Sequence, residues 1–118
     1  MLIHINISGP HAQIIEGEIS SVLTHEGFNL STTNAKANVL ISGKVEVEPL
    51  QLHNPDFKFV RAKVNIDVMD MISDKKVGSI FDKIRKGHLT YKEAEHKSVQ
   101  SLSKSVSKEV VKFFSLEK

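Results

Sequence analysis

The sequence predicts an α+β fold, a two-layer sandwich in the order β-α-β-β-β-β-α, with a mostly antiparallel sheet and two helices on one face. Three observations carry this. Asn38 to Asp70 holds two long apolar–polar alternations, joined by a bend that Pro49 and Pro55 bracket. A segment of helical period precedes that hairpin, from His11 to Glu26, and a second follows it, from Thr90 to about Phe114.

In the first arm of the hairpin, Val39, Ile41, Val45 and Val47 share one parity with Gly43, while Ser42, Lys44, Glu46 and Glu48 take the other. In the second arm Val60, Ala62, Val64, Ile66 and Val68 alternate with Arg61, Lys63, Asn65 and Asp67. Successive strand side chains point to opposite faces, so each arm has a dry side and a wet side. β-branched residues dominate the dry side, as a half-buried pleated surface favours. The wet side sets acids on the first arm against bases on the second. Opposed charges across an antiparallel pair contribute roughly 0.2–1 kcal/mol each and help to fix register.

From the start of the chain, Ile3, Ile5 and Ile7 alternate with His4, Asn6 and Ser8, a short strand. Pro10 suits a first helical turn, where its missing N–H would have no partner. Ile15, Ile19, Val22 and Leu23 then recur on one helical face. Gly27 stops the helix as a left-handed residue would. Phe28, Leu30 and Thr32 form a second strand, parallel to the first only through a right-handed crossover. Asn34 to Ala37 is a turn.

After Val68, Ser73-Asp74-Lys75-Lys76 reads as a turn and Val77 to Leu89 as the next strand. Its parity is mixed, with Ile80 and Ile84 on one side and Phe81 on the other. Lys83, Arg85 and Lys86 interrupt it, which suits an edge strand guarded against foreign pairing. Gly87 marks its end or a bulge. Thr90 and Glu93 form a capping-box pattern. The last helix turns Ala94, Leu102, Val106, Val110 and Phe113 inward and presents lysine, serine and Glu109 to water.

At 118 residues the chain is one domain, 1–118, with a net charge of +2. Cysteine is absent, which removes disulfides, cysteine-based metal sites and thiol nucleophiles. No apolar run approaches the roughly 18 residues that a membrane helix needs. Strand pattern begins at Leu2, so no secretory leader is read, and the expectation is a cytosolic protein or a domain processed from an exported precursor.

Candidate chemistry is thin. His88 and His96 flank Glu93 and Glu95, yet metal ligands on one helix face stand three or four residues apart, and no H-E-x-x-H occurs. Ordinary surface histidines account for them better, and His4 and His53 are expected to face solvent. Glu46, Glu48 and Asp67 lack the cleft that acid–base work requires and read as ion-pair partners. No P-loop, nucleophile elbow or dinucleotide fingerprint is present. The reading is therefore no enzyme, no cofactor, no metal and no small-molecule substrate. Lys83, Arg85, Lys86, His88, Lys92 and Lys97 form the strongest polar group and allow an alternative, an RNA-binding domain resembling a double-stranded-RNA-binding fold. Glu93 and Glu95 would repel phosphate there.

Gly27-Phe28 followed by Ala37-Asn38-Val39-Leu40-Ile41-Ser42-Gly43, then Val64 to Lys76, then a helix opening at Thr90 with inward Ala94, resembles a group of bacterial envelope domains. It is similar to the family of Helicobacter-type surface lipoproteins and the flagellar ring-assembly protein of sheathed-flagellum bacteria. More distantly it resembles the amino-terminal domain of TolB, the curli secretion lipoprotein and the lipoprotein activators of penicillin-binding proteins. Asn38 stands where those domains have Asp, and Ser98 and Ser101 where they have small apolar residues. The resemblance implies a non-catalytic interaction or assembly domain of the periplasm or outer membrane. Its partners would be other envelope proteins or further copies of itself, and it would reach a membrane only through an anchor outside this chain. The expected contact surface is Lys44, Glu46, Arg61 and Lys63 on the exposed sheet face, with Lys83, Arg85 and Lys86 on the edge strand.

Overall fold

The computed structural model describes residues 1–51 and 56–116. The elements are β1 (Leu2–Ser8), α1 (Ala12–His25), β2 (Asn29–Leu30), a 3-10 turn (Asn34–Lys36), β3 (Val39–Leu50), β4 (Lys58–Asp70), β5 (Lys75–His88) and α2 (Tyr91–Leu116). The sheet runs β2-β1-β3-β4-β5. β1 is parallel to β2 and β3, and the longer β3–β4 and β4–β5 ladders are antiparallel. This is the predicted order and layering.

Parity decides the layers. Ile3, Ile7, Ile41, Val45, Val60, Ala62, Val64, Ile66 and Val68 are buried on one face of the sheet. Against them α1 buries Ile15, Ile19 and Leu23, and α2 buries Ala94, Val99, Leu102, Val106, Val110 and Phe114. Each fully buried aliphatic side chain stabilises by roughly 1.5–3 kcal/mol. α2 has 26 residues. At 1.5 Å per residue it is about 39 Å long, close to the length of the long strands, so one helix can roof the whole hairpin.

Helix α1 ends as its glycine foretold. Gly27 has φ +92°, its N–H donates to the Thr24 carbonyl, and the Phe28 N–H donates to the Leu23 carbonyl, both at 3.0 Å. Those two bonds make a Schellman motif, with Phe28 turned back onto the core. The helix start differs from expectation. Pro10 lies ahead of the helix, and His11 occupies the capping position with φ 56°. Gly9, at φ +104°, lies so close to β3 that a Cβ would sit 2.2 Å from the Val45 carbonyl oxygen.

Several local readings are corrected. Pro49 lies inside β3, opposite Val60, rather than in the bend. β1 stops pairing at Lys44, so beyond it β3 has a free side where a missing N–H costs nothing. Pro55 and His53 fall outside the described residues. The β4–β5 turn is Met71–Asp74, and Lys75 and Lys76 already belong to β5. The Asp70 carboxylate accepts from the Ile72 N–H at 2.9 Å and the Ser73 N–H at 3.4 Å, which shapes that turn. The register shift falls opposite Val68 and Met69, at Val77, rather than at Gly87. Gly87 instead makes room for the Phe59 ring, which a Cβ would meet at 2.6 Å. β2 stops at Leu30 short of Thr32, because Ser31 makes the last bond to β1 at 2.8 Å.

The serines of α2 are the largest surprise. Ser98, Ser103 and Ser107 are buried rather than facing water. Ser98 and Ser107 donate to carbonyls four residues back, at 2.8 and 2.6 Å, and Ser103 donates to the Gln100 carbonyl at 2.7 Å. A hydroxyl satisfied by its own helix can be buried without leaving a donor unpaired. Phe114, not Phe113, is the fully inward aromatic, and Phe113 instead covers Gly78.

Gly9→Ala should lower unfolding free energy by roughly 1–3 kcal/mol through the clash and the positive φ. Gly17→Ala should raise it by up to about 1 kcal/mol, because Gly17 is an exposed helix residue with open space around it. Urea unfolding of both variants checks the opposite signs. The turn amides hold the Asp70 pKa below the usual carboxylate value. Its stabilising contribution is therefore complete above the ordinary carboxylate pKa and fades as pH falls through the lowered folded value. Asp70→Asn should flatten the stability loss on acidification below about pH 4, as measured by denaturation at a series of pH values.

Candidate functional site

The candidate site is the uncovered face of the sheet, because its side chains are set by the same parity that builds the core. Cross-strand register arranges them in rows. Glu46, Lys63 and Lys83 form one row, and Glu48, Arg61 and Arg85 the next. Lys44, Asn65 and Phe81 lie in a third row, and Ser42, Asp67 and Ser79 in a fourth. Arg61 reaches the Glu48 carboxylate at 3.2 Å. Asp67 meets the Lys76 ammonium at 3.4 Å and accepts from the Ser79 hydroxyl at 3.3 Å. Arg85 lies over the Phe59 ring, 5.6 Å from its centroid, where a guanidinium and an aromatic face attract.

Of the residues singled out from sequence, Lys44, Glu46, Arg61, Lys63, Lys83 and Arg85 share this face. Lys86 does not. It pairs in register with Val60, so it has the parity of the helix side and stands at the sheet margin. The basic group considered for phosphate binding is thereby divided: Lys83 and Arg85 are on the open face, Lys86 and His88 on the other parity, and Lys92 and Lys97 on α2.

The histidines lie where two elements meet. His88 Nδ1 is 2.5 Å from Glu93, which draws Glu93 away from completing the capping box, while the Thr90 hydroxyl still accepts the Glu93 N–H at 3.1 Å. His11 Nε2 is 2.8 Å from Glu95, tying the β1–α1 turn to α2, and the His11 and His96 rings meet edge to face at 6.0 Å. His4 is half-buried, its Nδ1 2.9 Å from the Ser31 carbonyl, rather than facing solvent. Among the described residues no group of three histidine, aspartate or glutamate side chains could hold a metal ion.

Sequence reasoning missed the His11–Glu95 contact, which joins residues far apart in the chain and leaves no local pattern. It also missed an open apolar cleft of about 570 Å³ at the end of the sandwich, lined by residues including Met1, Phe28, Ile72, Val77, Phe113 and Phe114. Ile72 there is 81% exposed. Among the described residues no helix is long and apolar enough to cross a membrane.

Comparisons with known proteins define a fold class. The chain superposes on a putative lipoprotein from Caulobacter crescentus with TM-score 0.69 and 10% identity, covering 98% of this chain and 92% of that one. The rare lipoprotein B from Shewanella oneidensis matches with TM-score 0.61 and 11% identity, covering 99% and 96%. A minor lipoprotein from Acinetobacter baumannii matches with TM-score 0.60 and 15% identity, covering 92% and 88%. This chain therefore has the fold of these bacterial lipoproteins over nearly its full length, which agrees with a lipoprotein-type domain, though none of these three is one of the particular families that the residues resemble. No family model matches it. No curated protein matches it either.

A double-mutant cycle on Glu48 and Arg61 should give a coupling of about 0.2–1 kcal/mol, because both side chains are more than a third exposed. Measured again in about 1 M salt, the coupling should vanish.

Proposed function

We propose that this chain is a non-catalytic interaction and assembly domain of the bacterial cell envelope, acting in the periplasm or at the outer membrane. The observation that carries the reading is the coextensive fold match. It takes in nearly all of this chain and nearly all of each lipoprotein, so the likeness is to a whole domain rather than to a shared fragment. Chemistry on the open face supports it as well. Ionisable groups there stand in rows on an open face, a setting suited to recognising another surface. General acid–base work instead needs a group desolvated in a cleft. Contact residues in this reading are Lys44, Glu46, Arg61, Lys63, Lys83 and Arg85, with Lys86 at the margin. Partners are other envelope proteins or further copies of this chain, with no small-molecule substrate or cofactor.

The test is the location of the product of the full gene. Expressed with a carboxy-terminal tag in a Gram-negative host, it should fractionate with the periplasm or membranes and be digested by protease added after outer-membrane permeabilisation. Recovery only in the protease-protected cytoplasmic fraction would remove the reading.

A further inference from the structure

β5 leaves one long side of the sheet open. Its inner side pairs with β4 from Lys75 to His88, and among the described residues no strand pairs with its outer side. The ladder is regular from Gly78 to His88, since the register shift falls below that stretch. An unpaired strand of this length offers backbone donors and acceptors as a template for another extended chain.

Charge along the rows selects that chain. Read from β3 outward, Glu46–Lys63–Lys83 and Glu48–Arg61–Arg85 each run acid, base, base. Like charges directly opposite one another destabilise a strand pair. Arg61 is neutralised by Glu48, whereas Lys83 and Arg85, both exposed, make no ion pair among the described residues. Carboxylates on a sixth strand, facing Lys83 and Arg85, would convert each row to acid, base, base, acid. One row further on, Phe81 stands 55% exposed, and an apolar side chain opposite it would cover the ring.

A second copy fits this edge poorly. β5 carries Lys75, Lys76, Lys83, Arg85 and Lys86 against the single carboxylate of Asp82, so pairing β5 with β5 would double the imbalance. The free upper side of β3 has Glu46 and Glu48 at the right spacing, yet β1 occupies that side along residues 39–44, so only residues 45–50 are open to an incoming β5. Pro49 also removes a donor there.

We infer that β5 is a strand-addition site for an acidic extended segment of a partner protein, with carboxylates two residues apart facing Lys83 and Arg85 and an apolar side chain facing Phe81. This rests on the interaction-domain reading and names the chemistry of the partner. Recognition would come from backbone pairing, with the two cations fixing register.

Fluorescence anisotropy with short labelled peptides tests it. One peptide alternates two glutamates with valine and threonine and carries a phenylalanine two positions from the nearer glutamate, made in both chain directions. A second has lysines for the glutamates, and a third keeps the glutamates but carries N-methyl groups on both and proline between them, so that donors are removed whichever side faces β5. The acidic peptide should bind saturably, and the other two at least about tenfold more weakly. Lys83→Gln with Arg85→Gln should weaken the acidic peptide roughly tenfold, and Lys83→Glu with Arg85→Glu should transfer preference to the lysine peptide. Both substituted positions are exposed, and unchanged circular dichroism would verify the fold.

Equal binding of the acidic and proline peptides would mean simple charge attraction and overturn strand addition. Binding of none would mean that the cations only guard the edge. Duplex RNA binding without peptide binding, or self-association on sedimentation that the glutamine variant abolishes, would assign β5 to a different occupant and equally overturn the proposal. Export of the full gene product is read independently, so peptide failure with export intact leaves the envelope reading standing.

Discussion

Unbroken pairing between β3 and β4 is the constraint on which the other elements depend, because all 12 residues of β3 are matched across the ladder. Strand side chains have period two, so a slip by one residue would bring Val60, Ala62, Val64, Ile66 and Val68 into water together and carry the charged rows inward. That all-or-none penalty holds the register. Once it is held, one face must be roofed by helices and the other must remain polar. The open polar face and the hydrophobic core are thus two readings of a single alternation.

How the roof is built follows from length. α2 runs alongside the whole hairpin, while α1, at 14 residues, covers only the part that β1 also reaches. α2 uses serine at three buried positions, Ser98, Ser103 and Ser107. Each hydroxyl bonds back to its own helix, so small volume is obtained without an unmet donor. The cost is weaker intrinsic helix preference, offset by the apolar stripe from Ala94 to Phe114 that α2 presses onto the sheet.

Features set by local rules were legible in the sequence. The hairpin, the order of elements, the glycine stop at Gly27 and the edge position of β5 all follow from patterns within a few residues. Six of the seven residues proposed as a contact surface share one face because parity alone assigns them. Lys86 does not, since its neighbour Arg85 already occupies the open side. What escaped depends on tertiary neighbours. Serine reads as polar until its hydroxyl is seen to close on its own helix, and Pro49 reads as a breaker until β1 is seen to stop short. The His11–Glu95 contact needed the fold before it could be noticed. Gly87 reads as the end of β5 or as a bulge; the strand ends one residue later, at His88, and the irregularity lies at Val77, which carries no sequence signal for one.

The two flanks of the sheet are unequal. On one side β2 contributes only two residues, too short to seed further pairing, and on the other β5 offers a regular run of eleven positions from Gly78 to His88. With β2 so short, lateral pairing between whole copies of this domain has one long flank to use, so edge-to-edge contact through β5 would join two domains and leave no second long flank for a third.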